Sequence, residues 1–134
     1  MAGAGARWHD GPVPASIGLV LDCADPERLA PFWSAALDYA NLGGAGSYVL
    51  LAPEAGGGPP LLLQQVPEPR VAKNRMHVDL HTPDIEAEAT RLVGLGARRL
   101  AAEPLGEHDS HWIVMADPEG NEFCVCDGGC CARA

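Results

Sequence analysis

Residues 112–126 read WIVMADPEGNEFCVC: an apolar strand-length run, an Asp-Pro-Glu-Gly-Asn turn and a second apolar run. Pro118 presets its backbone angle and Gly120 tolerates positive φ, so the turn has a mechanism as well as a composition. Much of this stretch occurs twice. Residues 48–56, YVLLAPEAG, align with residues 112–120, WIVMADPEG, and lead into a further strand, LLLQQV, at 61–66.

The repetition extends upstream of both copies. Residues 16–22, SIGLVLD, alternate Ile17, Leu19 and Leu21 and predict a strand. Asp25 follows as a helix N-cap with Pro26 at the first helical position, and Leu29, Phe32, Trp33, Ala36 and Leu37 form an apolar stripe at helical spacing. Trp33 is assigned to packing that helix on its sheet. Residues 77–82, HVDLHT, restart the pattern: Val78 and Leu80 share a strand face, Asp84 is the N-cap, and Ile85, Ala89, Leu92 and Val93 form the stripe. Gly96 is placed to end this second helix in a left-handed conformation.

Each half is therefore a strand, a helix and about three strands. One such unit has a sheet face it cannot bury alone, which implies a duplicated α+β domain. The predicted organisation is a single domain over 14–128, with module one at 14–66, a Pro- and charge-rich linker at 67–74, module two at 75–128, and flexible ends at 1–13 and 129–134. A chain of 134 residues supports one such core and no second domain.

Composition narrows the function classes. Eighteen acidic against nine basic residues give a formal net charge of −9, a field that repels phosphate backbones and favours neutral or cationic ligands. With no Lys/Arg cluster and no interleaved aromatics, nucleic acid is not expected as a partner. The N-terminal residues do not resemble a secretion signal and no run approaches transmembrane length, so a cytoplasmic, non-membrane protein is expected. Five cysteines, Cys23, Cys124, Cys126, Cys130 and Cys131, are an odd number and read as thiols.

The two tandem βαβββ units, together with KNRMHVDL at 73–80, GLGA at 94–97 and ADPEGNEFCV at 116–125, resemble the glyoxalase/bleomycin-resistance/dioxygenase superfamily, also called vicinal oxygen chelate proteins, and in particular its glyoxalase-like domain subgroup. The resemblance implies two modules whose mixed sheet curls round a cleft, with metal-dependent members placing one ligand on the first and one on the last strand of each half. Mapped through the repeat, those positions are Ser16, Gln64, His77 and Cys124, of which only His77 keeps the implied ligand type. The resemblance also implies a homodimer.

The usual metal site is therefore expected to be lost, and no cofactor is assigned. Ser16 is a poor ligand and Gln64 a neutral oxygen donor. A relocated site for zinc or iron is the alternative, drawn from His77, Asp79 and His81 on one strand and Glu122, Cys124 and Cys126 on another. Against it, alternate residues on one strand lie about 6–7 Å apart, too far for three in a row to share an ion.

For each candidate residue a structural role stands beside the functional one. His77 reads as a ligand-binding group or general base, or as a histidine hydrogen-bonded within the sheet to Asp79. Cys124 and Cys126 read foremost as small buried hydrophobes. Trp112 could wall a ligand pocket. EHDSH at 107–111 reads as a solvated loop, with a lid as its functional alternative, and GGG at 56–58 as a hairpin connection. The leading functional expectation is a metal-free protein binding a small organic molecule in the inter-module cleft through Ser16, Gln64, His77, Asp79, Trp112, Glu122 and Cys124, with resistance-type sequestration its most concrete form. The alternatives are a lyase, isomerase or dioxygenase with an altered metal site or with His77 as base, and a redox or thiol-metal role for Cys130 and Cys131.

Overall fold

A computed structural model describes residues 16–55 and 57–127. Module one runs β1 (Leu19–Cys23), α1 (Pro26–Leu37), β2 (Tyr39–Ala45), β3 (Tyr48–Pro53) and β4 (Leu61–Gln65). Module two runs β5 (Asp79–His81), α2 (Ile85–Leu95), β6 (Arg98–Arg99), β7 (Leu105–Glu107), β8 (Ser110–Ala116) and β9 (Glu122–Cys126). Two sheets result, ordered β1-β4-β3-β2 and β5-β9-β8-β6, with β7 also pairing β8. No strand pairing joins the sheets among the described residues, so each is an open half rather than part of one continuous sheet.

The helix ends follow from the sequence. The Asp25 carboxylate accepts from Arg28 N at 3.2 Å, an amide that also donates to Asp25 O, and the Asp84 carboxylate accepts from Ala87 N at 3.0 Å, so each side chain caps the first turn of its helix. Gly96 closes α2 at φ 121°, and its N–H returns to Val93 O.

Each module closes through a parallel pair of its first and last strands, β1 with β4 and β5 with β9. Only a crossover connection can make such a pair, and the helix supplies it. The strand starts differ from the expectation. Ser16, Ile17 and Gly18 precede the β1 ladder, which begins where Leu19 N donates to Pro60 O, and Ile17 is 73% exposed. His77 likewise precedes β5. EHDSH proves to be the β7–β8 hairpin, with His108 and Asp109 both at positive φ (52° and 66°) in its two-residue turn, so a tight hairpin stands where a loop was expected. Cys130 and Cys131 lie outside the described residues.

The core unites the modules on the helix side of both sheets. Leu29, Phe32 and Trp33 of α1 join Leu61 and Leu63 of β4, Leu92 of α2, Ile113 and Met115 of β8, and Phe123 and Val125 of β9. Trp33 takes the core role expected of it, 3% exposed and edge-on to Phe123 at 5.2 Å. Arg91 of α2 adds a polar tie by donating to Ala35 O and Ala36 O near the end of α1, while pairing with Glu88.

The Asp-Pro-Glu-Gly-Asn turn is the second tie. Asp117, 1% exposed, accepts from Trp33 Nε1 across the modules and from Glu119 N, Asn121 N and Asn121 Nδ2 within the turn. Glu119 reaches the other way, and its carboxylate accepts from Ala24 N and Asp25 N just ahead of α1. Neither helix is long and apolar enough to cross a membrane.

Candidate functional site

Strand alternation gives the second sheet two unlike faces. Phe123 and Val125 of β9, with Ile113 and Met115 of β8, turn to the helices and are at most 1% exposed. Cys124 and Cys126, with Trp112 and Val114, take the other face. Asp79 lies opposite Cys124 in the parallel register, and Val114 lies opposite Cys124 on the other side. Together with His77, Glu122 and Lys73 they line a hollow of about 390 Å³.

His77, Asp79, Trp112, Glu122 and Cys124 thus meet on one surface, whereas Ser16 and Gln64 do not line it. Ser16 is exposed ahead of β1, and Gln64 is half-buried in β4, its carbonyl accepting the Cys23 thiol at 3.7 Å. The hollow belongs to module two and the linker, with no lining residue from module one. The sequence reading placed these residues in a cleft between the modules; His77, Asp79, Trp112, Glu122 and Cys124 meet in a hollow that has no module-one wall. Lys73 and Val114 were not anticipated. The one signal for Lys73 was a cation at the end of the linker, four residues before His77.

The polar groups differ in freedom. Glu122 Oε1 accepts from Asn74 N at 3.0 Å, so this carboxylate helps dock the linker on β9. His77 Nε2 lies 3.2 Å from Asp79 Oδ1, with both side chains more than a third exposed. Cys124 is 9% exposed, and its N–H donates to Val78 O at 3.0 Å, which fixes β9 against the chain leading into β5.

The register also relocates the module-one counterparts. If the N-caps Asp25 and Asp84 are equivalent, Val20 corresponds to Asp79 and Gly18 to His77. Val20 pairs with Leu62 as Asp79 pairs with Cys124. The implied ligand positions in module one are therefore Gly18 and Leu62, each two residues from the expected Ser16 and Gln64. Neither has a side-chain donor atom, so the four-position metal set does not fit this chain. Within module two, by contrast, one imidazole nitrogen, one carboxylate oxygen and one sulfur, from His77, Asp79 and Cys124, lie within 4.8 Å of one another. That is a donor set of the kind zinc takes.

A larger hollow of about 880 Å³ lies where the end of β1, the linker and the Asp117 turn meet. Its Glu119 carboxylate is already held by backbone amides, and burial pushes its Cys23 thiol up to about 11 from 9.0, with the Glu119 and Asp117 carboxylates adding to the rise. A thiol held protonated is a poor nucleophile or ligand, so this hollow offers less chemistry than the smaller one. Iodoacetamide at pH 8 is expected to leave Cys23 unmodified until denaturant is added, as mass mapping of peptides would show; rapid labelling of the native protein would contradict its burial. Because the folded-state value lies above the ordinary 9.0, the thiol's contribution to stability is complete below pH 9.0 and is lost as pH rises through about 11.

The sequence profile of the glyoxalase-like domain matches residues 18–126. The chain belongs to the glyoxalase-like domain family. Solved structures of the wider superfamily share its fold at low identity. The fosfomycin resistance protein FosX from Mesorhizobium loti superposes with a TM-score of 0.68 at 15% identity, over 91% of this chain and 98% of that one. A glyoxalase/bleomycin resistance protein/dioxygenase family enzyme from Burkholderia phytofirmans PsJN gives 0.67 at 12% identity, covering 81% and 94%. A glyoxalase-related enzyme from Fulvimarina pelagi gives 0.66 at 16% identity, covering 86% and 88%. No curated protein matches the sequence. At these identities the glyoxalase-like chain and its neighbours share a fold, and function has to be argued from the site.

Proposed function

We propose that this glyoxalase-like protein binds a small organic molecule in the module-two hollow, without the four-position metal of its superfamily. The observation that carries the reading is the hollow itself. At about 390 Å³ it falls within the range of small-molecule sites, about 300–1,000 Å³, and it sets apolar Trp112 and Val114 beside the polar group His77, Asp79 and Lys73. Apolar walls supply affinity, and a few convergent polar atoms fix orientation. The net charge of −9 favours a neutral or cationic ligand at long range, and resistance-type sequestration is the most concrete form of this role.

A homodimer belongs to the same proposal. Val20 is 58%, Leu42 61% and Tyr48 42% exposed on module one, and a second copy laid over such surface would bury it. The enzyme reading is kept for one reason: Asp79 stands where it can orient the His77 imidazole, the arrangement a general base uses in lyase or isomerase chemistry.

A panel of small neutral and cationic organics, screened by quenching of tryptophan fluorescence, tests the binding role. Trp112→Ala is expected to weaken any hit by about 10-fold or more while the circular dichroism spectrum is retained. Hits that bind Trp112→Ala and Asp79→Asn as tightly as the parent would place binding elsewhere.

A further inference from the structure

We propose that His77, Asp79 and Cys124 form a three-ligand site for a zinc-like divalent ion, built on module two alone. The donor geometry is nearly in place. Bonds of about 2.0–2.1 Å to nitrogen and about 2.3 Å to sulfur put the ligand atoms of a tetrahedral zinc roughly 3.3–3.8 Å apart. The His77 Nε2 to Asp79 Oδ1 separation is already 3.2 Å, and all three donors lie within 4.8 Å of one another. Closing the remaining edges takes about 1 Å, which the exposed His77 and Asp79 side chains can supply by rotation while Cys124 stays fixed in β9.

The spacing of about 6–7 Å between alternate residues bars three in succession along one strand from sharing an ion, but it does not bar this set. Here only His77 and Asp79 share a run of chain, and the sulfur comes from the residue directly opposite Asp79, where facing Cβ atoms are about 4.5–5.5 Å apart. His81, the other member of that run, is absent from the cluster, and Glu122 is committed to the linker amide.

The chemistry selects the ion. A thiolate beside an imidazole excludes magnesium and calcium and favours zinc over ferrous iron. Thiolate and carboxylate together would neutralise a divalent charge, and three protein ligands would leave a fourth coordination position for water or a ligand, as in catalytic rather than structural zinc sites. The site stands on the placement of three donor atoms and does not rest on the organic-ligand reading, which the fluorescence screen tests separately in chelator-treated protein.

Chelator-stripped full-length protein titrated with cobalt(II), a spectroscopic stand-in for zinc, tests the site. The expected result is a thiolate-to-cobalt charge-transfer band saturating at one ion per chain, displaced by zinc. Cys124→Ser should abolish the band, and His77→Gln and Asp79→Asn should each weaken binding by at least about 10-fold. Cys126→Ser and a Cys130/Cys131 double replacement should leave it intact. Absence of the band in the parent, its persistence in Cys124→Ser, or its loss only with the tail cysteines would each overturn the proposal. If His77→Gln fails to fold, as circular dichroism would reveal, Cys124→Ser and Asp79→Asn carry the same test.

Discussion

Asp117→Ala is expected to destabilise the fold by about 3–5 kcal/mol, because several donors lose one shared acceptor and each buried donor left unsatisfied costs about 1–3 kcal/mol. Asp117 is 1% exposed and receives four donors: Trp33 Nε1, Glu119 N and Asn121 N at 2.9 Å each, and Asn121 Nδ2 at 3.0 Å. Alanine leaves the buried Trp33 and Asn121 donors and the part-buried Glu119 N without that acceptor. The loss is not confined to a turn, because the Trp33 bond joins α1 of module one to module two, and a displaced turn also withdraws the Glu119 carboxylate from Ala24 N and Asp25 N. Asp117→Asn keeps one oxygen acceptor and should lose less. Urea unfolding monitored by circular dichroism measures both, and a loss below about 1 kcal/mol for the alanine variant would contradict the role given to Asp117.

Phe123→Ala is expected to cost about 3–5 kcal/mol as well, by a different mechanism. The ring is 1% exposed and contacts Trp33 at 5.2 Å and Phe32 at 6.2 Å, so its removal opens a cavity at the seam between the modules. A second consequence follows from that location: the two modules should unfold less cooperatively, seen as a broadened or split transition. Phe123→Leu, which fills most of the volume, should cost about 1.5 kcal/mol or less. Equilibrium denaturation of both variants decides the matter. A Phe123→Ala variant as stable and as cooperative as the parent would mean that the modules do not depend on this contact. Since Phe123 and Cys124 point to opposite faces of β9, cobalt binding should survive in whatever fraction of the variant remains folded.

Much of the architecture was legible because it depends on local rules. Asp25 and Asp84 cap helices through their own side chains, Pro26 and Gly96 mark ends, and the apolar stripes of α1 and α2 repeat at helical spacing; none of this needs knowledge of distant residues. The glyoxalase-like repeat was legible for the same reason. What escaped depends on pairing between remote strands. Alternation assigns a residue to a face but does not say which neighbour it meets, and the β1–β4 register is set by the Leu19 N to Pro60 O bond and the ladder that follows. Hence Ser16 and Gln64 were named where Gly18 and Leu62 stand.

The three donors of the cluster were named within a relocated metal site, but that site was set aside on strand spacing because of the same gap. Distance along a strand could be estimated from sequence, whereas the placement of Cys124 directly across from Asp79 could not. The Asp-Pro-Glu-Gly-Asn turn was recognised as a turn, but its use as an acceptor for Trp33 links residues 84 positions apart and left no local signal. EHDSH misled because its His108 and Asp109 both take the left-handed backbone of a tight hairpin, a conformation more often marked by glycine or asparagine.

On the proposed function, ligands meet this chain on the face of β5, β9 and β8. Amide chemical-shift mapping of isotopically labelled, chelator-treated protein against the hits of the organic panel tests it most directly. Shifts are expected to concentrate at Asp79, Trp112, Val114 and Cys124, with the β1 end and residues 68–70 of the linker unchanged. Shifts concentrated instead at Asp22, Arg70 and Glu119 would assign binding to the larger hollow at the module junction and contradict it.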